Sequence, residues 1–327
     1  MSFLKVENLS KVINNKAIVN QVSFKQFKRE NIAIAGATGS GKTTLLKLIA
    51  GLLQPTNGNV FLEENRVKGS EEKLLPGHKS IAYLNQHFEL RNNYFVHELL
   101  DVFNAITEEE AYRIYTICAI TNLLQRKTNE LSGGEKQRIA LAAQLVTNPS
   151  LLLLDEPFSN LDLWQKNNIK NVLTDLQKEL QLSIILTSHD WTDILPWANT
   201  ILVMKNGEVI QQGNPFTIYH NPINEYVAGL SGAYNIIDVS NVQHFSNSIL
   251  KQDALKKIFL RPEQIEIEPA NNIFQKDVIQ EVYFYGSYNI VDVLVNNEIV
   301  KVKTTNNTLT VGQRVFLTVK PIEFWYL

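Results

Sequence analysis

The sequence holds one cysteine in 327 residues, Cys118, so no intrachain disulfide can form. That count argues against an extracellular, disulfide-stapled scaffold. Cys118 sits in Ile117-Cys118-Ala119-Ile120, where a small buried apolar role is expected rather than reactivity. No apolar stretch approaches the ~20 residues that span a bilayer. Met1-Ser2-Phe3-Leu4-Lys5-Val6-Glu7 lacks the apolar core of a signal peptide. A cytoplasmic protein is expected, with membrane association only through partners. Dense Lys/Arg runs are also missing, and the formal net charge is −2. Nucleic acid therefore finds no electrostatic footprint. Neither an internal repeat nor a low-complexity tract is apparent.

What is there begins with Gly36-Ala37-Thr38-Gly39-Ser40-Gly41-Lys42-Thr43-Thr44. It fits G-x-x-x-x-G-K-[ST], the loop that wraps the phosphates of a nucleoside triphosphate. Ile32-Ala33-Ile34-Ala35 before it reads as a buried strand, and Leu45, Leu46, Leu48, Ile49 and Leu52 after it recur at helical spacing. Glycines let successive N–H groups turn inward on an anion, and the helix adds its positive end. Lys42 is expected on the β- and γ-phosphates, and the Thr43 hydroxyl on Mg²⁺.

The length suits two domains, and 44% hydrophobic with 20% charged residues is the composition of a globular protein. Strands are expected from Phe3, Val6 and Leu9, at Ile18–Phe24, at Asn59–Leu62 and at Ser80–Leu84. Residues 88–148 read as a helical insertion: Val96, Leu99, Leu100 and Phe103 fall on one face, as do Ile114, Ile117 and Ile120. Thr107 before three glutamates is a helix start. Strands then return at Leu151–Leu154, Ser183–Thr187 and Ile201–Met204, and Asn206-Gly207 is a hairpin turn into Glu208-Val209-Ile210. A helix near Gln165–Leu180 separates the first two. This alternation predicts an α/β fold with a mostly parallel sheet. Beyond a boundary near residue 230, Tyr283-Phe284-Tyr285, Asn289–Val295, Glu298–Lys303 and Arg314–Lys320 alternate like short barrel strands.

Leu151–Leu154 is apolar throughout, as a central parallel strand requires, and it ends in Asp155-Glu156. Ligand sites in such sheets lie beyond the carboxyl ends of the strands. Asp155 is therefore expected to hold Mg²⁺, and Glu156 to accept a proton from the attacking water. His189, after Ser183–Thr187, is placed to meet the γ-phosphate.

With Leu131-Ser132-Gly133-Gly134-Glu135-Lys136-Gln137-Arg138 the chain resembles the ATP-binding cassette (ABC) ATPases, whose signature motif this run matches. Ser159-Asn160-Leu161-Asp162 is similar to their D-loop, Gln86 to their Q-loop glutamine and His189 to their switch histidine. The resemblance covers residues 1–230. It implies a P-loop core with an antiparallel N-terminal β subdomain. It also implies ATP and Mg²⁺ as cofactors, with Gln86 beside Thr43 and Asp155 at the metal. Two copies would sandwich ATP head to tail, so that Ser132, Gly133, Gly134 and Asp162 complete the partner's site.

Asn206–Pro215 and Ile218-Tyr219-His220-Asn221-Pro222 resemble importer ATPases of the maltose, sulfate, polyamine and ferric-ion kind. Ile258–Glu263 and Gly286-Ser287-Tyr288 resemble their C-terminal oligonucleotide-binding-like (TOBE) domain, here residues 231–327, which regulates and helps dimerise the subunits. The implied partners are a second copy, integral membrane permease subunits and, indirectly, a solute-binding protein. A permease helix would dock in a groove of the helical insertion, near Phe88, Tyr94 and Phe95.

Two features depart from the family. Lys11-Val12-Ile13-Asn14 stands where relatives carry an aromatic residue that stacks on adenine. Ile13 would have to cover the base, which predicts weak discrimination between ATP and GTP. The tail is also shorter than in the maltose type. A clamp ATPase of translation or DNA repair, an exporter cassette and a regulator without turnover are the competing readings. The absence of a second cassette or coiled coil, the TOBE-like tail and Glu156 argue against them in turn.

Overall fold

The computed structural model describes residues 2–86, 90–159, 161–238, 257–270, 277–320 and 325–327. Phe88 and Asn160 lie outside the described residues. The chain divides into two units, Met1–Pro215 and Phe216–Leu327.

Two sheets build the first unit. Strands β1 (Leu4–Ile13), β2 (Lys16–Gln26), β4 (Asn57–Leu62) and β5 (Asn65–Arg66) form an antiparallel sheet in the order β2-β1-β4-β5. Val22, Phe24 and Gln26 alternate inward along β2, while the residues between them face water. Asn14 and Asn15, both at positive φ, make the two-residue turn from β1 to β2.

The second sheet contains β3 (Asn31–Ala35), β6 (Ile81–Leu84), β7 (Leu151–Leu154), β8 (Ser183–Ser188), β9 (Thr200–Lys205) and β10 (Glu208–Gly213), in the order β10-β9-β3-β8-β7-β6. Its pairings are parallel except for β9–β10, which Asn206-Gly207 closes as a hairpin. β3, β7 and β8 are buried along their whole length, which explains their unbroken apolar runs. Helix α1 (Lys42–Ile49) follows β3, and α5 (Leu163–Leu180) and α6 (Trp191–Ile194) flank β8 in sequence.

Between β6 and β7 the chain forms α2 (Val96–Asp101), α3 (Glu108–Ile117) and α4 (Gly133–Leu145). Thr107 caps α3 and trades hydrogen bonds with Glu110. Two helical readings need correction. α2 ends before Phe103, which is 45% exposed. Ile120 is buried but lies past the end of α3, where Ala119 turns the chain at φ 52°. Spacing alone extends both helices too far, and at α3 the stop is a left-handed residue that spacing cannot see.

The second unit begins with α7 (Pro215–His220) and α8 (Glu225–Ser231). These helices precede the change of sequence pattern near residue 230, and the spatial division falls before them. Strands β11 (Asn235–Asp238), β12 (Lys257–Leu260) and β18 (Trp325–Tyr326) pair in that order. A second antiparallel sheet has the order β13-β17-β14-β15-β16, from β13 (Ile265–Pro269), β14 (Asp277–Phe284), β15 (Asn289–Val295), β16 (Glu298–Thr304) and β17 (Arg314–Val319). Its edge strands β13 and β16 approach within 8 Å, so the sheet curls towards closure around Val291, Val293, Val300, Val302 and Leu317. Fully buried Arg261 donates to the carbonyls of Tyr219, Ala228, Gly232 and Ala233, tying this unit's helices to its strands.

Candidate active site

The phosphate-binding run forms the turn from β3 into α1. Gly36 (φ 155°) and Gly41 (φ 103°) hold left-handed backbone, and a Cβ there would overlap the carbonyl oxygens of Met204 and Ile18 respectively. Only glycine satisfies both demands. Gly39 (φ 81°) faces open space. Thr38 and Gly39 are exposed, whereas Ser40 is buried and its Oγ has no hydrogen-bond partner. Lys42 is 8% exposed, and its Nζ donates to the carbonyls of Gly36 (2.8 Å) and Ala37 (3.1 Å). Burial lowers its pKa, while Glu156 and Asp155 pull the other way. A desolvated cation and an orphaned hydroxyl in a ring of left-handed glycines make a cradle for an anion. Thr44 follows Thr43 in the first turn of α1.

Parallel register brings the other strand ends to this loop. β3 pairs Ala35 with Ser188 of β8, and β8 pairs Leu186 with Leu154 of β7. Asp155 therefore emerges beside α1, 3% exposed, with Oδ1 accepting from Thr43 Oγ1 at 3.0 Å and Thr187 Oγ1 at 2.8 Å. Tyr83 of β6 donates its hydroxyl to Oδ2 at 3.1 Å. Burial, with the Asp155 charge beside it, raises the Tyr83 phenol above its usual range.

Glu156 adopts φ 49°, uncommon for a residue with a side chain. Its N–H donates to Thr187 Oγ1 at 2.8 Å, so one threonine holds both acidic residues. In that conformation Glu156 Oε2 lies 2.8 Å from His189 Nδ1, and Oε1 lies 3.9 Å from Lys42 Nζ. The Glu156 side chain is 13% exposed and that of His189 63%.

Gln86 is exposed and donates to Ser159 Oγ at 3.4 Å, and Ser159 donates to the Glu156 carbonyl. Gln86, Asp155, Glu156, Gly133 and Ser159 line one cavity of about 300 Å³. Ser132 caps α4: its Oγ accepts from the Glu135 N–H at 3.3 Å, and Glu135 accepts from the Ser132 N–H at 2.8 Å. That N–H bond lowers the Glu135 pKa. Gly133 has no atom near its Cβ position, and Gly134 is buried beside Gln165. Asp162 caps α5 through the Gln165 N–H. Ile13 lies 43% exposed at the end of β1.

Thr187 and Tyr83 carry no sequence motif of their own, whereas Ser159 opens the D-loop run. The cue for Thr187 and Tyr83 was their place at the carboxyl ends of apolar strands; choosing them needed the strand order. At the helical insertion, Phe103, Leu99, Arg91 and Tyr83 line a cavity of about 260 Å³. Tyr94 is 41% exposed, and Phe95 stacks on His97 instead.

With that geometry in view, comparisons with known proteins are decisive. The ABC transporter family model matches residues 19–159. The Fe(3+) ions import ATP-binding protein of Haemophilus influenzae is 31% identical over 90% of this chain and 88% of its own. The chain belongs to the ABC transporter ATP-binding family. A spermidine/putrescine import ATP-binding protein of Bacillus cereus is 30% identical over 87% of this chain and 85% of its own. Among solved structures, cbiO1 of Clostridium perfringens, part of an ABC transporter complex, superposes with a TM-score of 0.59 at 29% identity, covering 66% of this chain and 90% of that one. This ABC protein is thus a nucleotide-binding transport subunit that binds and hydrolyses ATP, with a P-loop α/β core and a strand-rich C-terminal unit. Among its described residues no helix is long and apolar enough to cross a membrane.

No three His, Cys, Asp or Glu converge as a metal cage among the described residues. The donors on offer are the Asp155 carboxylate, the Thr43 hydroxyl and the Gln86 amide. Sparse hard oxygens of this kind suit Mg²⁺, which keeps waters and substrate phosphates as its other ligands.

Proposed function

We propose that this cassette powers solute import across the cell membrane from its cytoplasmic face, by hydrolysing ATP held between two copies of the chain. The observation that carries the reading is the convergence of Lys42, Thr43, Asp155, Glu156 and His189 at the carboxyl end of one sheet. Lys42 exchanges the carbonyls of Gly36 and Ala37 for phosphate oxygens, while the N–H groups of residues 36–44 and the positive end of α1 hold the rest. Thr43, Asp155 and Gln86 would hold Mg²⁺, which when bound neutralises phosphate charge. Glu156 accepts the proton of the attacking water, and His189 keeps that carboxylate turned towards the γ-phosphate.

Ser132, Gly133 and Gly134 of the second copy close the other side of the triphosphate, and Asp162 lies in the adjoining D-loop. Ile13 covers the base. The cassette domain is residues 1–230 with its helical part at about 88–148, and residues 231–327 act as a TOBE-like regulatory and dimerisation domain. Integral permease subunits dock on the helical insertion and pass the stroke to a solute that a binding protein delivers. Relatives named for ferric ions and polyamines support import of small charged solutes. Net charge of −2 gives no support to a nucleic-acid partner.

The test is Glu156→Gln. ATP binding should persist within about threefold, while turnover falls at least about a hundredfold, the scale of a lost general base. Near wild-type hydrolysis by the variant would sink the assignment.

A further inference from the structure

Tyr83 has two faces, and the chemistry proposed above uses neither. Its register partner on β7 is Leu153, two residues before Asp155, so its hydroxyl reaches Oδ2 at 3.1 Å. Thr43 and Thr187 both donate to Oδ1, at 3.0 and 2.8 Å. The phenol is a donor on the second oxygen, so with the two threonines it completes the contacts that fix the carboxylate plane.

The ring of the same residue lines two cavities, of about 380 Å³ beside Ala50 and Leu52 and about 260 Å³ beside Leu99 and Phe103. Gln144 of α4 lines both as well. The smaller cavity lies against α2 and α4 of the helical insertion, the part of the chain that the reading above gives to a permease helix. A tyrosine ring is stiff, with only two side-chain torsions. A body seated against the ring therefore displaces the hydroxyl with it.

We propose that Tyr83 is a positioning residue that holds the Asp155 carboxylate for the metal–nucleotide complex and carries occupancy of the groove to it. The proposal rests on the assignment of Asp155 to Mg²⁺. The two statements separate in one experiment, because the metal assignment concerns the wild-type chain and the tyrosine role concerns a variant.

The experiment titrates Mg²⁺ against binding of a ribose-labelled fluorescent ATP by the full chain, with no turnover measured. In the wild-type chain Mg²⁺ should tighten binding; no effect there would overturn the Asp155 assignment itself. Tyr83→Phe keeps the ring and removes one hydrogen bond to a charged group. It should raise the half-saturating Mg²⁺ concentration about five- to tenfold while leaving Mg²⁺-free nucleotide binding unchanged. An unchanged or lower half-saturation overturns the positioning role. An equal loss with and without Mg²⁺ overturns it too, since packing alone would do that. Gln144→Trp, which fills the groove, should shift the Mg²⁺ requirement in the wild-type background and not in Tyr83→Phe. Equal shifts in both backgrounds, or none in either, would overturn the link to the groove.

Discussion

At the residue scale the site is built from side chains that each satisfy two demands. Thr187 accepts from the Glu156 N–H and donates to Asp155, so a single hydroxyl sets the left-handed turn that aims Glu156 at His189. Lys42 is held on loop carbonyls at the cost of desolvation, ready to exchange them for phosphate. Ile13 shows the opposite economy. Its side chain is 43% exposed and offers a purine an aliphatic surface without a ring to stack on. Such a surface reads no base edge, so ATP and GTP should be hydrolysed at comparable rates. A strong preference for ATP in a side-by-side assay would contradict this. Ile13→Tyr should tighten both nucleotides by up to about tenfold, the value of one stacked pair.

At the scale of elements, the motifs carried most of the site in the sequence, because each one sits at a strand end or helix cap and keeps its own local geometry. Gly36–Thr44 turns β3 into α1, Asp155-Glu156 ends β7, and Ser132 and Asp162 cap α4 and α5. What the chain order hides is which strands are neighbours. β3 lies between β8 and β9, and β7 between β8 and β6. Thr187 and Tyr83 become part of the site only through that order. Helix ends were also hidden where a residue such as Ala119 takes positive φ without being glycine. The second unit was legible as alternating strands, but Arg261 was not legible as the buried hub of its helices.

The junction of α5 with α6 gives a further test. Lys166 donates to Asp190 at 2.9 Å and to Asp193 at 3.0 Å, and Lys170 lies 2.9 Å from the other oxygen of buried Asp193. Burial raises the Asp190 pKa, but hydrogen bonds from Thr192 and Lys166 outweigh it and hold the carboxyl at about 2. A carboxyl with a folded pKa below its unfolded value of 3.8 adds stability above that value and loses it as pH falls through about 2. Lys166→Met should therefore lower stability at neutral pH by about 1–3 kcal/mol and flatten the acid limb of the melting profile. An unchanged acid limb would show that Lys166 does not hold Asp190.

At the scale of the whole molecule, one chain holds all the parts of an ATPase, and the function proposed above has its phosphate loop and its signature helix serve different nucleotides. The central claim is that Ser132-Gly133-Gly134 of one copy completes the loop of another. Cys118 makes this directly measurable. It is the single native cysteine, fully buried, and burial pushes its thiol up to about 12, which keeps it unreactive. Thr38→Cys and Ser132→Cys, combined in the Glu156→Gln chain, then supply the only reactive thiols. Mild oxidation with ATP and Mg²⁺ should yield a covalent dimer at twice the 37.2 kDa chain mass, and ADP should not. A disulfide closed within one chain, or dimer formed equally without nucleotide, would contradict the account.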